Sequence, residues 1–588
     1  MKSDRGETET DETAEQDVAT FRIAIVAELG PREAFRTGPR AEPSALAISR
    51  ANFGEVMSEL CASFAVDVPD PLEPSAPPLR VDLRLGDLKA LRPDGLVDAV
   101  APLRALAEGK RLLEEARRAG RTGPELRAHL ARVLPRESWA AALVGTSPSP
   151  TAPAPAAPPA AAPSAIDDLL DRVDVTAPAE PTAQASGRDP VSALVSAVAR
   201  SARASNRPNA PARDPAPAAN ASATLVQSLL VHPEVRRLER LWRSVKLLVD
   251  AADPRAGVEV YVVAVADEEI EPTLDAFAES DSGAFDLLVL GDELAPTAAS
   301  LARARHAASV GESMNTAVLV SGTPELVGAT DLPSLGRTLR KLSTVDDPRA
   351  VATRAAAADE AMRWLFVTLN GPLVRGPYDA ENVRAKGLGL AQDPNDPTSW
   401  VAALPAFALA ALTAKSFSKT GWPTPVTAPS TTIDGLVVRE SSERGTSAGI
   451  VTDAFVSDDA ARELAQAGII AFGAVPNRDS AYVLHAPCMY RPKGPVAKAA
   501  EGSLADSLFV GSLVRALREL GDLVPEGTPN AKVGQVAEVV LRDLWHMAAP
   551  PGPEISCTAK GGTLAVRVRP HRFAGVGLEE ITLDVPLR

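Results

Sequence analysis

A segment without large apolar residues divides this chain of 588 residues into two parts. Between 147 and 165 the sequence contains only Pro, Ala, Ser and Thr, and a similar bias returns over about 204–221. Such a composition cannot bury a hydrophobic core, and it favours an extended polyproline II backbone that rises about 3.1 Å per residue. The sequence therefore predicts a linker over 146–223, with folded regions at 20–145 and 224–588.

Two islands of ordinary composition interrupt this linker. They cover 165–173 (AIDDLLDRV) and 190–202 (PVSALVSAVARSA), and both have the apolar spacing of short helices. The chain begins with a charged, acidic segment over 1–19 that has no apolar run, so we predict a disordered tail and no signal peptide.

Charge and cysteine content exclude several classes of function. The formal net charge is −15 and no local basic stripe reverses it, which argues against a nucleic-acid partner. Cys61, Cys488 and Cys557 are far apart in sequence and form no CxxC pair, so we expect a reduced, cytoplasmic protein. No stretch of about 18 apolar residues occurs, so the sequence predicts no membrane span.

The first folded region has the pattern of a small α+β unit. FRIAIVAEL (21–29) is typical of a buried strand, and LRVDLRL (79–85) alternates apolar and charged residues like a half-exposed strand. A short helix is predicted over 49–60. Leucines and valines at helical spacing from 96 to 113 predict a longer one.

The second folded region alternates helical and strand patterns, which indicates an α/β fold with a mixed sheet. It opens with one apolar helical stripe from Leu225 to Leu248. Strand-like runs follow at 258–265, 285–290, 316–321 and 364–369, and two further strands end the chain within 563–587.

Motifs for catalysis are weak throughout the chain. GTSAG (445–449) fits the G-x-S-x-G pattern that would make Ser447 a hydrolase nucleophile, but a polar run precedes it and no helix pattern follows. HAPC (485–488) has no second pair of ligands, and no phosphate-binding G-x-x-x-x-G-K-[ST] motif is present. We therefore predict no enzyme, no cofactor and no metal site.

Segments of the first region resemble the small sheath subunit of type VI secretion systems, the TssB/VipA family. The opening strand FRIAIVAEL, the NFGEVMSEL helix and the segment LRVDLRLGDLKALRPDGLVDAVAPLRAL carry the resemblance. In the last segment the residues that fit the family's turn and helix are Leu88, Pro93, Asp94, Leu96 and Val97.

The second region resembles the large sheath subunit, the TssC/VipB family, over nearly all of 224–588. HPEVRRLERLWRSVKLLV, FDLLVLGDEL, WLFVTLNGPLVRGPYD, KSFSKTGWP and VRPHRFAGVGLEEITLDVPL match family segments in family order. The matching residues with an expected structural role are Trp242, Arg243, Arg375, Pro377, Tyr378, Trp422, Pro570 and His571.

This resemblance implies a fused sheath subunit that forms a helical homopolymer around an inner tube and contracts to propel it. It implies a cytoplasmic location and four partners: other copies of the chain, an Hcp-like tube protein, a baseplate and a ClpV-like AAA+ disassembly ATPase. The alternatives are a non-contractile or regulatory paralogue of a sheath protein and, more remotely, an α/β hydrolase that uses Ser447.

The resemblance also implies a recognition helix for the ClpV-like ATPase. The family's "LLD-x-I" pattern matches Leu169, Leu170, Asp171 and Val173 in the first linker island. A short amphipathic helix on a flexible tether suits helix-in-groove binding. The alternative is a linker helix that packs on its own domain.

A last implication is strand exchange between neighbouring copies. The strands that we expect in or beside a shared sheet include Phe21, Ile23, Ile25, Val566, Val568, Ile581 and Leu583. The alternative is that all of them pair within one chain.

Overall fold

The computed structural model describes most of the chain outside the linker. The described residues are 20–37, 44–61, 63–119, 124–144, 217–280, 285–338, 342, 345–379, 388–441, 448–492, 502–523, 528–544 and 553–586. The predicted tail at 1–19 and both predicted linker helices lie outside these ranges.

Helices and strands alternate through most of the described chain. The helices are α1 Arg32–Thr37, α2 Phe53–Leu60, α3 Pro93–Ala99, α4 Ala101–Arg118, α5 Pro124–Val133, α6 Glu137–Val144, α7 Pro217–Val231, α8 Pro233–Ala251, α9 Ile270–Glu279, α10 Ala298–Met314, α11 Leu332–Thr338, α12 Pro348–Ala356, α13 Pro405–Thr420, α14 Asp458–Gln466, α15 Leu504–Leu523 and α16 Asn530–Leu544. The strands are β1 Phe21–Ala27, β2 Leu46–Ile48, β3 Phe64–Val68, β4 Leu79–Leu83, β5 Val258–Ala264, β6 Leu287–Leu294, β7 Ala317–Gly322, β8 Leu365–Leu369, β9 Leu373–Arg375, β10 Val401–Ala402, β11 Arg439–Ser441, β12 Ala448–Ile450, β13 Ile469–Ala474, β14 Ala481–Val483, β15 Glu554–Lys560, β16 Thr563–Arg569 and β17 Ile581–Pro586.

An eight-stranded mixed sheet organises the larger part of the molecule. Its strand order is β14-β13-β8-β7-β6-β1-β5-β2. The six inner strands are all parallel to one another, whereas the edge strands β14 and β2 pair antiparallel with β13 and β5. Near-continuous apolar runs such as β1 and β7 suit this position, because inner parallel strands are buried on both faces.

Helices cover both faces of this sheet. On one face α10 and α14 contribute to a core cluster that includes Val26, Leu288 and Val318. On the opposite face α13 packs over β6, β7 and β8 and against α8. Residues Pro405–Phe417 of α13 are all buried except Lys415, so this helix is surrounded on nearly every side, as expected of a core helix.

The first strand of the chain lies inside this sheet. β1 pairs in parallel with β5 from Phe21 opposite Val258 to Ala27 opposite Ala264, and its other edge pairs with β6. The sequence pattern predicts a small α+β unit followed by a larger α/β region with its own mixed sheet. The structure differs because β1 and β2 complete the sheet of the second region.

The division of the structure into two compact units reflects this shared sheet. One unit comprises the described residues of 1–70, 77–101 and 224–588, and the other those of 71–76 and 102–223. The predicted boundaries at 145 and 224 are therefore places where the composition changes, whereas the folded units interleave along the chain. As domain limits, 20–145 and 224–588 stay predictions.

The smaller unit is helical. Leu103, Leu106 and Leu113 form the buried stripe of α4. Gly109 lies on the same stripe, where an added Cβ would be 3.3 Å from Leu134 Cδ2 and 3.6 Å from Leu130 Cδ2. The small residue therefore lets α5 approach α4 closely.

The C-terminal region forms a second, antiparallel sheet in the order β15-β16-β17. One face carries Ile555, Val566, Val568 and Ile581, which are buried in a cluster with residues of α15 and α16. This region includes the two predicted C-terminal strands, and β15 is an additional strand that the sequence pattern did not reveal.

Candidate assembly surfaces

Helix α8 holds the end of β1 through side chains that reach backbone carbonyls. Trp242 Nε1 donates to Leu29 O at 2.9 Å, and Arg237 donates to Glu28 O and Gly30 O, both at 2.7 Å. Trp242 is fully buried. Three successive carbonyls beyond β1 thus accept hydrogen bonds from one helix that follows the linker.

An aromatic contact adds to this junction. Phe53 of α2 meets the Trp242 ring edge-on, with ring centroids 5.6 Å apart, and Lys246 Nζ lies 5.8 Å from the Phe53 centroid. The resemblance assigned Trp242 a structural role. Its partners in the structure are residues before the linker.

The start of β1 is held at a second junction. Asp286 Oδ2 accepts the Arg22 backbone N–H at 2.6 Å and Arg515 Nη1 at 2.5 Å, and Arg515 Nη2 donates to Thr20 O at 2.5 Å. Burial raises the pKa of Asp286 to about 6, against the opposing effect of the Arg515 charge. Asp286 is therefore a buried acid that ties β1 and β6 to α15.

A buried ion pair contains two of the residues that the resemblance singled out. Glu239 Oε1 accepts from Arg375 Nε at 2.9 Å and from Arg243 Nε at 2.8 Å, and the Glu239 side chain is fully buried. Arg375 Nη1 also donates to Ser399 O at 2.9 Å. These contacts join α8 to β9 and to the segment before β10.

Tyr378 completes this cluster. The Arg375 guanidinium lies 4.9 Å from the centre of the Tyr378 ring. Burial raises the pKa of the Tyr378 hydroxyl, and the nearby Glu239 acts in the same direction. Pro377 lies between Arg375 and Tyr378, in a stretch that is neither helix nor strand.

Trp422 lies in an aromatic cluster next to the C-terminal region. Its ring stacks on Phe509 of α15 with centroids 5.5 Å apart and meets Phe573 edge-on at 5.2 Å. Ser416 Oγ donates to Trp422 O at 2.8 Å, which fixes the turn after α13. This cluster joins the core helix α13 to the helix beneath the C-terminal sheet.

Pro570 and His571 follow β16. Pro570 is buried, whereas His571 is exposed and has a φ of 51°. His571 Nε2 lies 3.4 Å from Glu554 Oε1, on the polar face of the sheet. That face also carries the Arg569–Glu580 pair at 2.7 Å.

The structure places the predicted exchange strands differently from one another. Phe21, Ile23 and Ile25 are buried in β1, whose two edges are both paired within the chain. Val566 and Val568 lie in β16, the central strand of its sheet. Ile581 and Leu583 lie in β17, an edge strand of that sheet. Both edges of β1 and of β16 are thus paired within the chain, one edge of β17 is not, and strand exchange at all three strands stays a prediction.

Other predicted residues lie outside the part of the chain that the structure describes. These are Leu169, Leu170, Asp171 and Val173 of the ATPase-recognition helix, and Ser447 of the GTSAG motif.

A cleft of about 1320 Å³ opens at the carboxyl ends of β1, β6, β7 and β8. Its charged groups are largely paired with each other, as in Arg303–Asp267 at 2.6 Å and Arg240–Glu293 at 2.8 Å. Burial and the neighbouring Asp267 raise the pKa of Asp292 to about 6. Among the described residues no group of three His, Cys, Asp or Glu side chains could hold a metal ion.

Two family models match the chain in succession. Residues 7–147 match "Type VI secretion system, VipA, VC_A0107 or Hcp2", and residues 275–489 match VipB, "EvpB/VC_A0108, tail sheath N-terminal domain". The chain is a fusion of the two sheath subunits. This confirms the resemblance and the prediction of a structural sheath protein that is not an enzyme, and the hydrolase alternative falls with it.

Further comparisons add little to the family match. No curated protein matches the fused sheath protein. A chain of "Cryo-EM structure of the anti-feeding prophage (AFP) baseplate, 6-fold symmetrised" is 12% identical, with a TM-score of 0.30, over 59% of this chain and 76% of that chain. No described helix is both long enough and apolar enough to cross a membrane.

The family ranges show how the fused sheath protein is built. β1 and β2 come from the VipA segment, whereas β6, β7, β8, β13 and β14 come from the VipB segment. Strands from both subunit segments therefore form the eight-stranded sheet.

The sequence reasoning assigned no role to three residues at these junctions. Glu239 lies in the family-like segment HPEVRRLERLWRSVKLLV and had a signal, since it is an acid on the apolar stripe of α8 between Leu238 and Trp242. Asp286 and Arg515 are 229 positions apart and had none.

Proposed function

We propose that each fused chain acts as one complete VipA–VipB building block of a type VI secretion sheath that polymerises around an inner tube in the bacterial cytoplasm. The observation that carries this proposal is the position of β1 in the middle of the sheet of the VipB segment. A chain that completes its own sheet brings the two subunits together at a ratio of one to one, and at a high effective concentration.

The polymer is an open helix, so the contacts between its subunits are heterologous. Strand addition suits such contacts, because backbone hydrogen bonds connect neighbours while the domains move on their tethers. Of the predicted exchange strands, β17 with Ile581 and Leu583 is the one at a sheet edge.

The proposed partners are an Hcp-like tube protein, a baseplate and a ClpV-like ATPase. Contraction would release free energy stored in a strained extended assembly, and the chain itself would consume no nucleotide. A non-contractile or regulatory paralogue is the alternative that the sheath fold allows.

Negative-stain microscopy of the purified chain, with and without the tube protein, tests this proposal. We expect hollow tubes with a cogwheel cross-section, and a long and a short form if the sheath contracts. A chain that stays monomeric in sedimentation at every concentration, with the tube protein present, would contradict polymerisation. Tubes of a single fixed length would support the non-contractile alternative.

The helix that the sequence predicts at 165–173 is our proposed binding site for the ATPase. A double substitution of Leu169 and Leu170 by Asp should abolish binding of a ClpV-like ATPase to the chain, because charged side chains cannot enter an apolar groove. Substitution of the neighbouring polar residues Asp167 and Asp168 by Asn is the matched control, because it leaves both leucines in place. Unchanged binding of the double Asp variant would remove this assignment.

A further inference from the structure

The cleft at the carboxyl ends of the parallel strands lies where the strand order reverses. β5 is on one side of β1, whereas β6, β7 and β8 follow in succession on the other side. Loops diverge at such a reversal and leave a crevice, which is where open α/β sheets bind ligands. Glu28 after β1 and Asp292 in β6 line the cleft at this point. Thr323 lines it after β7, and its Oγ1 is buried without a hydrogen-bond partner in the described part of the chain.

Two arginines that line this cleft have no acidic partner among the described residues. Arg236 of α8 donates through Nη1 to Thr398 O and through Nη2 to Trp400 O at 3.5 Å. Arg439 of β11 donates through Nη2 to Asp453 O. These acceptors are neutral carbonyls, and they occupy only a minority of the N–H donors that two guanidinium groups carry. Both charges are therefore available to an anion from outside the chain.

The two arginines lie against the same aromatic residue. The Arg439 guanidinium is 5.7 Å from the centre of the Trp400 ring, and Arg236 reaches the Trp400 backbone. Trp400 Nε1 donates to Pro394 O at 2.8 Å, which holds the ring in place. Burial and, next, the charge of Arg375 lower the pKa of Arg236. Because this cation is both desolvated and repelled, a bound anion would stabilise it.

Asp453 lines the cleft as well but neutralises neither arginine. Its carboxylate forms no hydrogen bond or ion pair among the residues that the structure describes, and burial raises its pKa. Arg439, Arg240 and Arg236 favour its ionised form, whereas Glu293 opposes it. Arg240 is itself paired with Glu293 at 2.8 Å. The protonation of Asp453 therefore sets how strongly this part of the cleft attracts a negative charge.

We propose that this cleft binds a multiply charged phosphate or carboxylate anion between Arg236 and Arg439. A planar guanidinium binds both kinds of anion through two parallel hydrogen bonds. The anion would connect α8, which holds the end of β1, to the hairpin of β11 and β12. The inference goes beyond the proposed sheath function and does not depend on polymerisation, because a single chain supplies the site.

Isothermal titration calorimetry of the unassembled full chain at low salt tests the proposal, with inorganic pyrophosphate and citrate as probes. We expect one anion to bind per chain. Arg236→Ala and Arg439→Ala should each weaken binding by about 10-fold or more. Lysine at either position keeps the charge without the fork, so its affinity should lie between those of the wild type and the alanine variant. Arg478→Ala is the matched control, because Arg478 is exposed and does not line the cleft.

The pH dependence gives a readout that a purely structural role of the arginines would not change. Ionised Asp453 repels the anion, so Asp453→Asn should bind it more tightly than the wild type at about pH 8. As the pH falls through the pKa of Asp453 the two affinities should converge. A ratio of the two affinities that is the same at every pH would overturn the placement of the anion beside Asp453.

The outcomes also identify the class of ligand. Binding of pyrophosphate alone assigns a phosphate ligand, binding of citrate alone assigns a carboxylate ligand, and binding of both indicates a site that recognises charge. Circular dichroism and the melting temperature without anion check that the variants fold, and Arg439→Gln replaces an alanine variant that does not. No binding of either probe at about 10 mM, or equal binding by the wild type and both arginine variants, would overturn the inference and leave polymerisation standing.

Discussion

Arg515 binds Asp286 with Nη1 at 2.5 Å while its Nη2 binds the Thr20 carbonyl. The side chain of Asp286 is 6% exposed and that of Arg515 is 21% exposed. Through this pair helix α15, which packs against the C-terminal sheet, is connected to the first strand of the chain.

Substitution of Arg515 by Ala should destabilise the protein strongly. It leaves the Asp286 carboxylate buried with only the Arg22 N–H as a donor, and breaking a buried pair in this way costs about 3–5 kcal/mol. The free energy of unfolding from denaturant titration measures the loss. Arg518→Ala is the matched control on the same helix, because Arg518 is exposed, and it should change stability by less than about 0.5 kcal/mol. Equal effects of the two variants would show that the ion pair is not important.

The raised pKa of Asp286 predicts a pH dependence of definite sign. The group has a pKa of about 6 in the folded protein and an ordinary value of 3.8, so the folded state binds its proton more tightly than the unfolded state. Between these two pH values, the contribution of Asp286 to the free energy of unfolding increases as the pH falls and decreases as the pH rises.

Comparison with Asp286→Asn isolates this contribution. The melting temperature of the wild type, relative to that of the variant, should be higher at about pH 5 than at about pH 7. A difference between the two proteins that is constant over this range would show that the pKa of Asp286 is not raised.

Loss of the Glu239–Arg375 pair should destabilise the protein about as strongly as loss of the Arg515–Asp286 pair. Arg375→Ala leaves the fully buried Glu239 with Arg243 as its remaining cation, and we expect a loss of about 3–5 kcal/mol in the free energy of unfolding. Arg375→Lys keeps the positive charge but cannot make the forked contacts to Glu239 and Ser399 O. Its free energy of unfolding should therefore lie between those of the wild type and Arg375→Ala. The exposed pair of Arg462 and Asp459 supplies a control, since Arg462→Ala should be almost neutral. A stable Arg375→Ala protein would contradict this role.

The linker should be dispensable for holding the two segments together. A protease site placed within 147–165 would cut the chain between β2 and β5, which are paired in one sheet. We expect the two pieces to elute together in size-exclusion chromatography under native conditions, and to separate in denaturant. Separation under native conditions would show that the covalent connection is essential. In the same way, deletion of half of the Pro/Ala stretch should leave folding and solubility intact.

The amino-acid sequence by itself determined the local structure and the family of this protein. Mostly apolar runs of five to seven residues specified β1, β5, β7 and β8, because the pattern of side chains that a strand buries is visible in consecutive residues. Short strands such as β2, β9 and β14 have three residues each, too few for a periodic signal, and the sequence did not reveal them.

Only the tertiary structure decided which strands share a sheet and which edges stay open. The pairing of Phe21 with Val258 joins residues 237 positions apart, and no local pattern encodes such a partner. The same holds for Glu538, whose carboxylate covers the Cys557 N–H in a strand after the helix. Backbone hydrogen bonds are chemically alike in every strand, so the choice among partners depends on how the buried faces of the whole chain pack together.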